Sequence, residues 1–273
     1  MTLEEKIKKA NIAAIIACRL KSKRLPKKAT LKIGGLSSIE LCIKNALKFK
    51  NINYTILATS NLAEDDELKN HTFSNSVIFH RGDPDDVIQR YLDIINKLKI
   101  DVVVRVTGDM PYVSDDILQT LLKSHFESGA DYTTAKKAAI GTNLEVINSA
   151  ALRKVKSFFP SANYSEYMTY YFTNNPLYFK LNFVDLPENL VRDYRLTLDY
   201  EEDLKMLNLI ENYFKTNNLE YNIELLFDFL DKNPKIASIN KHCPLKYKTD
   251  KKLIETLKKA TKINAEVQQK KLK

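Results

Sequence analysis

A basic segment near the N-terminus has the side chains needed to bind phosphate. Residues 17–28 (ACRLKSKRLPKK) follow an apolar run, and their polar members are Arg19, Lys21, Ser22, Lys23, Arg24, Lys27 and Lys28. Guanidinium groups grip phosphate oxygens in pairs, and lysine supplies a point charge. The segment lacks the glycines of a Walker loop, so it does not predict a P-loop kinase or ATPase. By composition alone, a solvated basic loop or a nucleic-acid patch is an equal alternative.

Two aspartates are candidates for a metal site. Asp109 comes directly after an apolar run in the segment VRVTGDMP, and Gly108 before it would allow a ligand to approach closely. Carboxylate oxygens are the ligands that Mg²⁺ prefers. Asp199 ends a second apparent strand and would complete the site. Asp109 could instead cap local backbone amides, and the three acids at 201–203 could serve the start of the next helix.

The elements that must position these residues alternate along the N-terminal half. Apolar runs predict strands at 12–18, 54–59, 77–80 and 101–107, and helical periodicity predicts helices at 38–49, at 85–98 and from Ser114 onwards. This alternation is typical of an α/β fold with a mainly parallel sheet and helices on both faces. In such sheets ligands bind beyond the carboxyl ends of the strands, where the candidate residues lie.

The C-terminal half has a less regular pattern. It predicts strands at 143–148, 179–184 and 195–198, and helices at 149–158, 165–172, 201–214 and 223–233. We predict a single domain over residues 1–248, with an acceptor or dimerisation lobe at about 129–189. Residues 249–273 are predicted to form a lysine-rich helical tail.

The charge is distributed unevenly. The chain has 43 Lys and Arg against 34 Asp and Glu; ten lysines and three acids lie in residues 244–273, which leaves 33 and 31 in the rest. A fold that binds nucleic acid should carry its basic groups on its main face. We therefore do not expect nucleic acid as a partner, and interpret the tail as a solvated helix.

Cysteine, histidine and hydropathy patterns exclude several classes of protein. Three cysteines without paired spacing argue against a disulfide framework, and the four histidines show no ligand spacing that would predict zinc. Cys18 is interpreted as a small packed residue. The apolar run at 12–18 is too short to cross a membrane and has no cleavage site of a signal peptide after it. We expect a cytoplasmic protein without a membrane partner.

Four motifs, in order, resemble those of the cytidylyltransferases that make CMP-activated acidic sugars, and most closely the branch of spore-coat polysaccharide biosynthesis protein F. They are CRLKSKRLPKK at 18–28, RGDPDDVIQRY at 81–91, VRVTGDMP at 104–111 and RLTLDYEEDL at 195–204. The resemblance covers about residues 12–240. It implies the Rossmann-like three-layer nucleotidyltransferase fold of nucleotide-diphospho-sugar transferases.

The resemblance also implies roles for individual residues. Nucleotide binding falls to Ala17, Cys18, Arg19, Ser22, Arg24, Lys28, Thr59, Ser60, Arg81, Arg90, Thr107 and Gly108. Arg81, Asp86 and Arg90 match positions that either line the nucleotide pocket or support its loop. Acceptor binding falls to Arg105, Gly141, Glu145 and Arg195. Arg19, Lys28 and Asp109 would be catalytic, and Asp109 with Asp199 would hold Mg²⁺.

The activity implied is transfer of CMP from CTP to an acidic sugar or sugar phosphate, with release of pyrophosphate, in the biosynthesis of surface polysaccharide or glycoconjugate. A homodimer is also implied, with the aromatic-rich residues 164–183 as its candidate interface or, equally, as plain core. Tyr167 stands where relatives often have His, which leaves the acceptor open. The alternatives are a nucleotidyltransferase that uses GTP or UTP, and a non-catalytic protein that binds nucleotide or polymer.

Overall fold

The computed structural model describes residues 1–73, 76–264 and 267. Its strands are β1 (Ile12–Ala17), β2 (Lys32–Ile33), β3 (Leu36–Ser37), β4 (Tyr54–Ser60), β5 (Ile78–Gly82), β6 (Val102–Thr107), β7 (Tyr132–Ala135), β8 (Glu145–Asn148) and β9 (Leu181–Val184). Its helices are α1 (Leu3–Lys9), α2 (Ser38–Ala46), α3 (Val87–Leu98), α4 (Asp115–Ser128), α5 (Ser149–Phe158), α6 (Thr169–Thr173), α7 (Glu201–Thr216), α8 (Ile223–Lys232), α9 (Pro234–Ala237), α10 (Lys246–Thr249) and α11 (Lys251–Thr261).

One seven-stranded sheet runs through the molecule in the order β5-β4-β1-β6-β8-β7-β9. Strand β8 pairs antiparallel with both of its neighbours, and the other pairs in this sheet are parallel. Strands β2 and β3 form a separate short hairpin. The prediction of an α/β fold with a mainly parallel sheet is therefore confirmed.

Two apolar clusters cover the two faces of this sheet. One contains side chains of α2, α4, α7 and α8, and the other contains those of α3, α5 and α6. The alternation of inward residues along β1 explains the division, because Ile12, Ala14 and Ile16 join the first cluster while Ala13 and Ile15 join the second. The result is the three-layer arrangement that the sequence predicts.

Local signals in the sequence account for the helix ends nearest the predicted site. Helix α2 starts at a capping box, in which Ser37 accepts from the amide of Glu40 while the Glu40 carboxylate accepts from the amide of Ser37. Helix α3 begins at Val87 rather than at 85, because the Asp86 side chain caps it by accepting from the amide of Gln89. Helix α4 ends at Ser128, and Gly129 caps it with a left-handed backbone.

Two predicted elements differ from the structure. Residues 195–198 do not form a strand of the sheet: Arg195 makes an isolated bridge with Ile140, and the amide of Leu198 donates instead to the carbonyl of Asp109. The predicted helix at 165–172 is divided into a short 3-10 helix, Ser165–Tyr167, and α6. Helix α1, strand β7 and the β2–β3 hairpin were not predicted.

The segment expected to be a lobe belongs to the main sheet. Strands β7, β8 and β9 continue the sheet beyond β6, and α5 and α6 pack on the second cluster. Within the predicted tail, α11 spans Lys251–Thr261. Leu257 of α11 is fully buried, so this part of the tail packs against the domain. Residues 265–266 and 268–273 lie outside the described residues.

The three cysteines, Cys18, Cys42 and Cys243, are each buried and free. Among the helices of the described residues, none combines the length and the apolar character needed to cross a membrane.

Candidate active site

The carboxyl ends of β1 and β6 bring the first and third motifs together. These strands are parallel neighbours with Ala17 opposite Thr107, and the amide of Gly108 donates to the carbonyl of Ala17 at 2.8 Å. A side chain at Gly108 would lie 2.7 Å from Cβ of Cys18. Gly108 therefore permits close packing of the two segments, which sets the basic segment beside Asp109.

Lys28 lies between the two predicted metal ligands. Its Nζ donates to Oδ2 of Asp109 at 2.7 Å and to Oδ1 of Asp199 at 2.8 Å. Arg24 donates to the same Asp199 oxygen at 2.6 Å. Two carboxylates and two cations from the first, third and fourth motifs thus form one cluster, although up to 175 residues separate them.

The backbone of the basic segment explains how Lys28 reaches this position. Lys27 has a left-handed φ of 50°, and Lys28 then begins a 3-10 turn that ends at Thr30. The carbonyl of Leu31 next accepts from the amide of Ser38 at the start of α2, which ties the end of the segment to the domain. Ser22 lies partly exposed in the same segment, and Arg19 is exposed.

The charges in the cluster stabilise one another. Burial alone would lower the pKa of Lys28, but the adjacent Asp109 and Asp199 carboxylates outweigh this effect and raise it above its usual value. Burial alone would raise the pKa of Asp109, but the Lys28 ammonium and the hydroxyl of Thr107 lower it. Both groups therefore carry their full charge near neutral pH.

Asp199 is held by a network behind it. Arg195 donates through Nη2 to Asp199 at 3.1 Å and through Nε to Asp203 at 2.8 Å. Asp203 also accepts from the amides of Asp199 and Tyr200, which caps the start of α7. The side chain of Asn240 completes the network by donating to Asp203 at 2.8 Å. The Arg195 side chain is 5% exposed, and these contacts give it a role in orienting Asp199.

The predicted acceptor residues Arg105 and Glu145 face each other across β6 and β8. Glu145 accepts hydrogen bonds from Arg105, Tyr132 and Thr169. Burial alone would raise the pKa of Glu145, but the Arg105 guanidinium and the hydrogen bonds lower it below its usual value. The pair is thus a buried, charged unit, and Arg105 also donates to the carbonyl of Glu166 at 2.8 Å.

Glu166 connects this unit to the basic segment. Its carboxylate pairs with Arg19 at 2.5 Å, and both side chains are more than 40% exposed. Gly141, the fourth predicted acceptor residue, has a φ of +94°, and a Cβ there would lie 2.6 Å from the backbone of Leu196. Gly141 thus permits the close approach of its own segment to the one that leads to Asp199.

The predicted nucleotide-binding residues Thr59 and Ser60 lie at the end of β4. Ser60 donates to the buried carboxylate of Asp65, which also accepts from the amide of Leu20 at 2.7 Å. Asp65 thereby fixes the start of the basic segment against β4. Thr59 is fully buried beside Ser60, and among the described residues its hydroxyl has no hydrogen-bond partner.

The three residues predicted either to line the nucleotide pocket or to support its loop differ in their contacts. Arg90 is 2% exposed and donates to the carbonyls of Asp83 and Pro84. Asp86 caps α3 and pairs with Lys156 at 2.6 Å. These contacts fit the role of supporting the loop. Arg81 is more exposed and donates to the carbonyl of Asn61 at 2.7 Å.

Three residues that contact the site were not predicted from the sequence. They are Asp65, Asn240 and Asp203, whose contact with Arg195 was not foreseen. Asp203 had a usable signal, because it stands four residues after Asp199 at the start of a predicted helix. Asp65 and Asn240 each form a hydrogen bond with a residue 45 positions away in the sequence, Leu20 and Arg195 respectively. The sequence around Asp65 and Asn240 does not indicate these contacts.

The aspartate pair is chemically suited to a divalent cation. One Asp109 oxygen and one Asp199 oxygen contact the same ammonium nitrogen, so a single small cation can reach both. Both donors are carboxylates, which suit Mg²⁺ or Mn²⁺ rather than softer metals. The side chains are 25% and 8% exposed, and Thr107 and Arg195 orient their other oxygens.

Comparison with known proteins agrees with this geometry. The cytidylyltransferase family profile matches residues 13–265. The chain is 33% identical over 230 residues to an uncharacterised protein of Methanocaldococcus jannaschii, covering 84% of this chain and 94% of the relative. It is 29% identical over 235 residues to the spore coat polysaccharide biosynthesis protein SpsF of Bacillus subtilis, covering 84% and 97%.

A solved cytidylyltransferase from Leptospira borgpetersenii has a similar fold, with a TM-score of 0.75 and 27% identity. The match covers 84% of this chain and 97% of that structure. The family assignment made from the four motifs is therefore confirmed, and the chain belongs to the cytidylyltransferase family of enzymes.

Proposed function

We propose that this enzyme transfers CMP from CTP to an acidic sugar or a sugar phosphate and releases pyrophosphate, with Mg²⁺ as its cofactor. The observation that carries the proposal is the contact of one ammonium, that of Lys28, with both Asp109 and Asp199. In it, the family's phosphate-binding segment meets a pair of carboxylates suited to a divalent cation.

The cations of the basic segment suit the triphosphate. Arg24 and Lys28 are half-buried beside the carboxylates, and Arg19 is exposed at the rim. Fixed cations in a partly dry site stabilise developing charge more strongly than water does, because they need no reorganisation. Arg19, Arg24 and Lys28 would hold the β and γ phosphates and stabilise the departing pyrophosphate.

Asp109 and Asp199 would hold Mg²⁺, which neutralises phosphate charge and polarises the reacting phosphoryl group when bound. The work of the other residues is positioning and neutralisation. Arg195 and Asp203 keep Asp199 in place, and Thr107 does the same for Asp109.

The reaction needs no covalent intermediate on the protein. An acceptor oxygen forms a bond to the α-phosphorus of CTP, the bond between that phosphorus and the α–β bridging oxygen breaks, and pyrophosphate leaves with the electron pair. A hydroxyl acceptor releases its proton to solvent. Arg105 and Glu145 would shape the acceptor side, and the exposed pair of Arg19 and Glu166 joins that side to the phosphate side.

Pyrophosphate release tests the proposal directly. Each of the four ribonucleoside triphosphates would be incubated with Mg²⁺ and a panel of acidic sugars and sugar phosphates. We expect release with CTP and one class of acceptor. Release only with GTP or UTP would keep the mechanism and overturn the assignment of the base, and the absence of both turnover and nucleotide binding would overturn the proposed reaction.

The carboxylates can be tested separately. We expect Asp109→Asn and Asp199→Asn each to lower kcat by about a hundredfold or more, since loss of one electrostatic contact to a transition state has that order of effect. Steady-state kinetics with CTP and the active acceptor measures this change.

Asp193→Asn is the matched control, because Asp193 is an exposed aspartate close to Asp199 in the sequence. It should retain full turnover. Near-ultraviolet circular dichroism checks that each variant is folded, and a folded Asp109→Asn enzyme with most of its activity would contradict the assignment.

The wider role also remains a proposal. Similarity to the spore coat polysaccharide biosynthesis protein of Bacillus subtilis supports a place in the biosynthesis of surface polysaccharide or glycoconjugate. The reaction would take place in the cytoplasm, where CTP is available. Leu177 and Phe183 in the stretch 164–183 are 93% and 43% exposed, and this supports the proposed homodimer interface there. Tyr171, Phe172 and Phe179 of the same stretch are buried core residues.

A further inference from the structure

Three potential metal ligands meet at the start of α7, on residues that the proposed reaction does not use. They are the carboxylate of Glu202, the imidazole of His242 and the thiol of Cys243, and their ligand atoms all lie within 4.8 Å of one another. We propose that these residues form a second metal site, which binds Zn²⁺ or a metal of similar softness and fastens residues 240–244 to the start of α7.

The spacing of the donors fits a tetrahedral ion. Nε2 of His242 lies 3.5 Å from Oε1 of Glu202. Zinc binds nitrogen and oxygen at about 2.0–2.2 Å, so two ligands on a tetrahedron lie about 3.4 Å apart. Closing the site around an ion therefore needs only small rotations of exposed side chains.

The donor types select the metal. A thiolate and an imidazole with one carboxylate suit zinc, whereas Mg²⁺ prefers oxygen ligands alone. The site is thus chemically distinct from the pair formed by Asp109 and Asp199. The two sites should bind different ions from the same solution.

The backbone holds the donors in place before any metal binds. Asn240 is fully buried and donates to the carbonyl of Arg195 and to Asp203, and the amide of Cys243 donates to the carbonyl of Asn240. His242 and Cys243 therefore project from an anchored turn. Glu202 lies in the first turn of α7, one residue before Asp203.

The exposure of the ligands shows how an ion would enter. The side chains of His242 and Glu202 are 68% and 43% exposed, while Cys243 is buried beneath them. Three protein ligands leave a fourth position for water on the solvent side. The metal would link the turn at 240–244 to the network that orients Asp199, so its binding should stabilise the fold.

Cobalt is the probe of choice, because a thiolate bound to Co²⁺ gives a charge-transfer absorption band that oxygen ligands do not give. The full-length protein, freed of metal with a chelator, would be titrated with Co²⁺ in the presence of excess Mg²⁺. We expect one equivalent of Co²⁺ to produce the band, Zn²⁺ to abolish it by displacement, and Zn²⁺ to raise the Tm of the protein.

Variants assign the band to residues. Cys243→Ser should remove it, and His242→Ala and Glu202→Gln should each weaken binding by at least about a hundredfold, since even residues that only support metal ligands cost 10–100-fold. The last two positions are exposed, so their variants should fold even if Cys243→Ser does not.

The controls separate this site from the catalytic one. Cys18 lies close to Gly108 and Asp109, so cobalt bound at the catalytic site could also contact a thiolate. If the band comes from the second site instead, Cys18→Ser and Asp109→Asn must both retain it, together with the Zn²⁺-dependent rise in Tm. Absence of the band in the unaltered protein, its loss in Cys18→Ser, or its survival in the three ligand variants would each overturn the proposal.

Discussion

The charge of Lys28 balances two neighbouring carboxylates at once. Its Nζ is the shared partner of Asp109 and Asp199, and its side chain is 17% exposed. An ammonium that contacts two carboxylates at once takes the position of the divalent cation that we propose for this site. Without bound metal, Lys28 therefore keeps the two aspartates from repelling each other.

Removal of the Lys28 charge should therefore lower stability, and the loss should depend on whether Mg²⁺ is present. We expect Lys28→Met to lower the free energy of unfolding by about 3 kcal/mol without Mg²⁺, the lower end of the range for a broken buried pair because the site is partly exposed. Added Mg²⁺ should recover much of this loss, since the cation can neutralise both carboxylates. Urea unfolding with and without Mg²⁺ measures both effects.

Lys27→Met is the matched control, because Lys27 is the adjacent lysine and its side chain is 68% exposed. It should change stability by less than about 0.5 kcal/mol, as is usual for surface positions. If Lys28→Met proved as stable as the unaltered protein without Mg²⁺, Lys28 would not have the balancing role that its contacts indicate.

The site residues differ in how readily the sequence reveals them. Of the two apolar runs that precede Asp109 and Asp199, only the first is a strand that ends at the edge of the sheet. Both aspartates could still be predicted from the position of these runs. The partners of Asp199 could not, since the contact of Asn240 with Arg195 and Asp203 depends on how α7 packs. Glu202, His242 and Cys243 likewise come together only in three dimensions, which is why histidine spacing gave no sign of a metal site.

Among the elements, the segment before Asp199 depends on its close contact with Gly141. The backbone of Ile140 bridges to that of Arg195, and the hydroxyl of Thr197 donates to the carbonyl of Asp109 at 3.1 Å. The segment at 195–198 therefore lies between the loop at Gly141 and the loop at Asp109. Its apolar alternation predicted a strand, but these loop contacts take the hydrogen bonds that a strand would have made with a neighbour.

A methyl group at Gly141 should disturb this arrangement. The added Cβ would lie 2.6 Å from backbone atoms of Leu196 and Thr197, and the φ of +94° disfavours any side chain. We expect Gly141→Ala to cost about 3 kcal/mol from backbone strain and overpacking together. Turnover should fall as well, because the backbone that carries Asp199 is displaced. Chemical unfolding and steady-state kinetics measure the two effects.

Gly129→Ala is the control that separates the effect of backbone strain from the effect of the steric contact at Gly141. Gly129 also has a positive φ, of +61°, but a Cβ there meets no atom within 4 Å. This variant should lose about 1 kcal/mol from strain alone and keep its activity. Equal losses in the two variants would show that the contact with Leu196 and Thr197 is unimportant.

His125 joins helix α4 to the sheet and should make stability depend on pH. Its ring contacts Thr133 of β7 at 2.8 Å and Asn148 of β8 at 3.2 Å. Burial lowers the pKa of His125 below its ordinary value of 6.5. The unfolded chain therefore binds a proton that the folded chain does not, so stability is full above pH 6.5 and falls as the pH drops below it.

The slope due to this residue can be at most about 1.4 kcal/mol per pH unit. We expect His125→Gln to be less stable at pH 7.5 but to lose less stability between pH 7 and pH 5, as measured by urea unfolding at several pH values. His242→Gln, measured with a chelator present, is the control because His242 is exposed. An unchanged slope in His125→Gln would argue against a neutral buried imidazole.

At the scale of the whole molecule, the basic C-terminal region is an amphipathic part of the domain. Leu257 and Thr261 of α11 are fully buried, whereas Lys258 and Lys259 between them are exposed. The side chain of Asn175 after α6 donates to the carbonyl of Thr261 and accepts from the amide of Ile263. The charge run indicated a helix, but only the fold shows which side of it packs.

This packing predicts that α11 unfolds together with the sheet. We expect Leu257→Ala to lower the global free energy of unfolding by about 2–3 kcal/mol, the usual cost of emptying a buried leucine site. Circular dichroism should still show a single urea transition. Hydrogen exchange should show protection in residues 253–261 close to that of the core helices in the unaltered protein.

Lys258→Ala, a change at the adjacent exposed position, should leave both measurements nearly unchanged. If Leu257→Ala instead freed the segment 251–264 to exchange rapidly while the global transition stayed in place, α11 would be a separately unfolding unit. Its packing against α6 would then add nothing to the stability of the catalytic domain, and its exposed lysines would be available for a partner without cost to the fold.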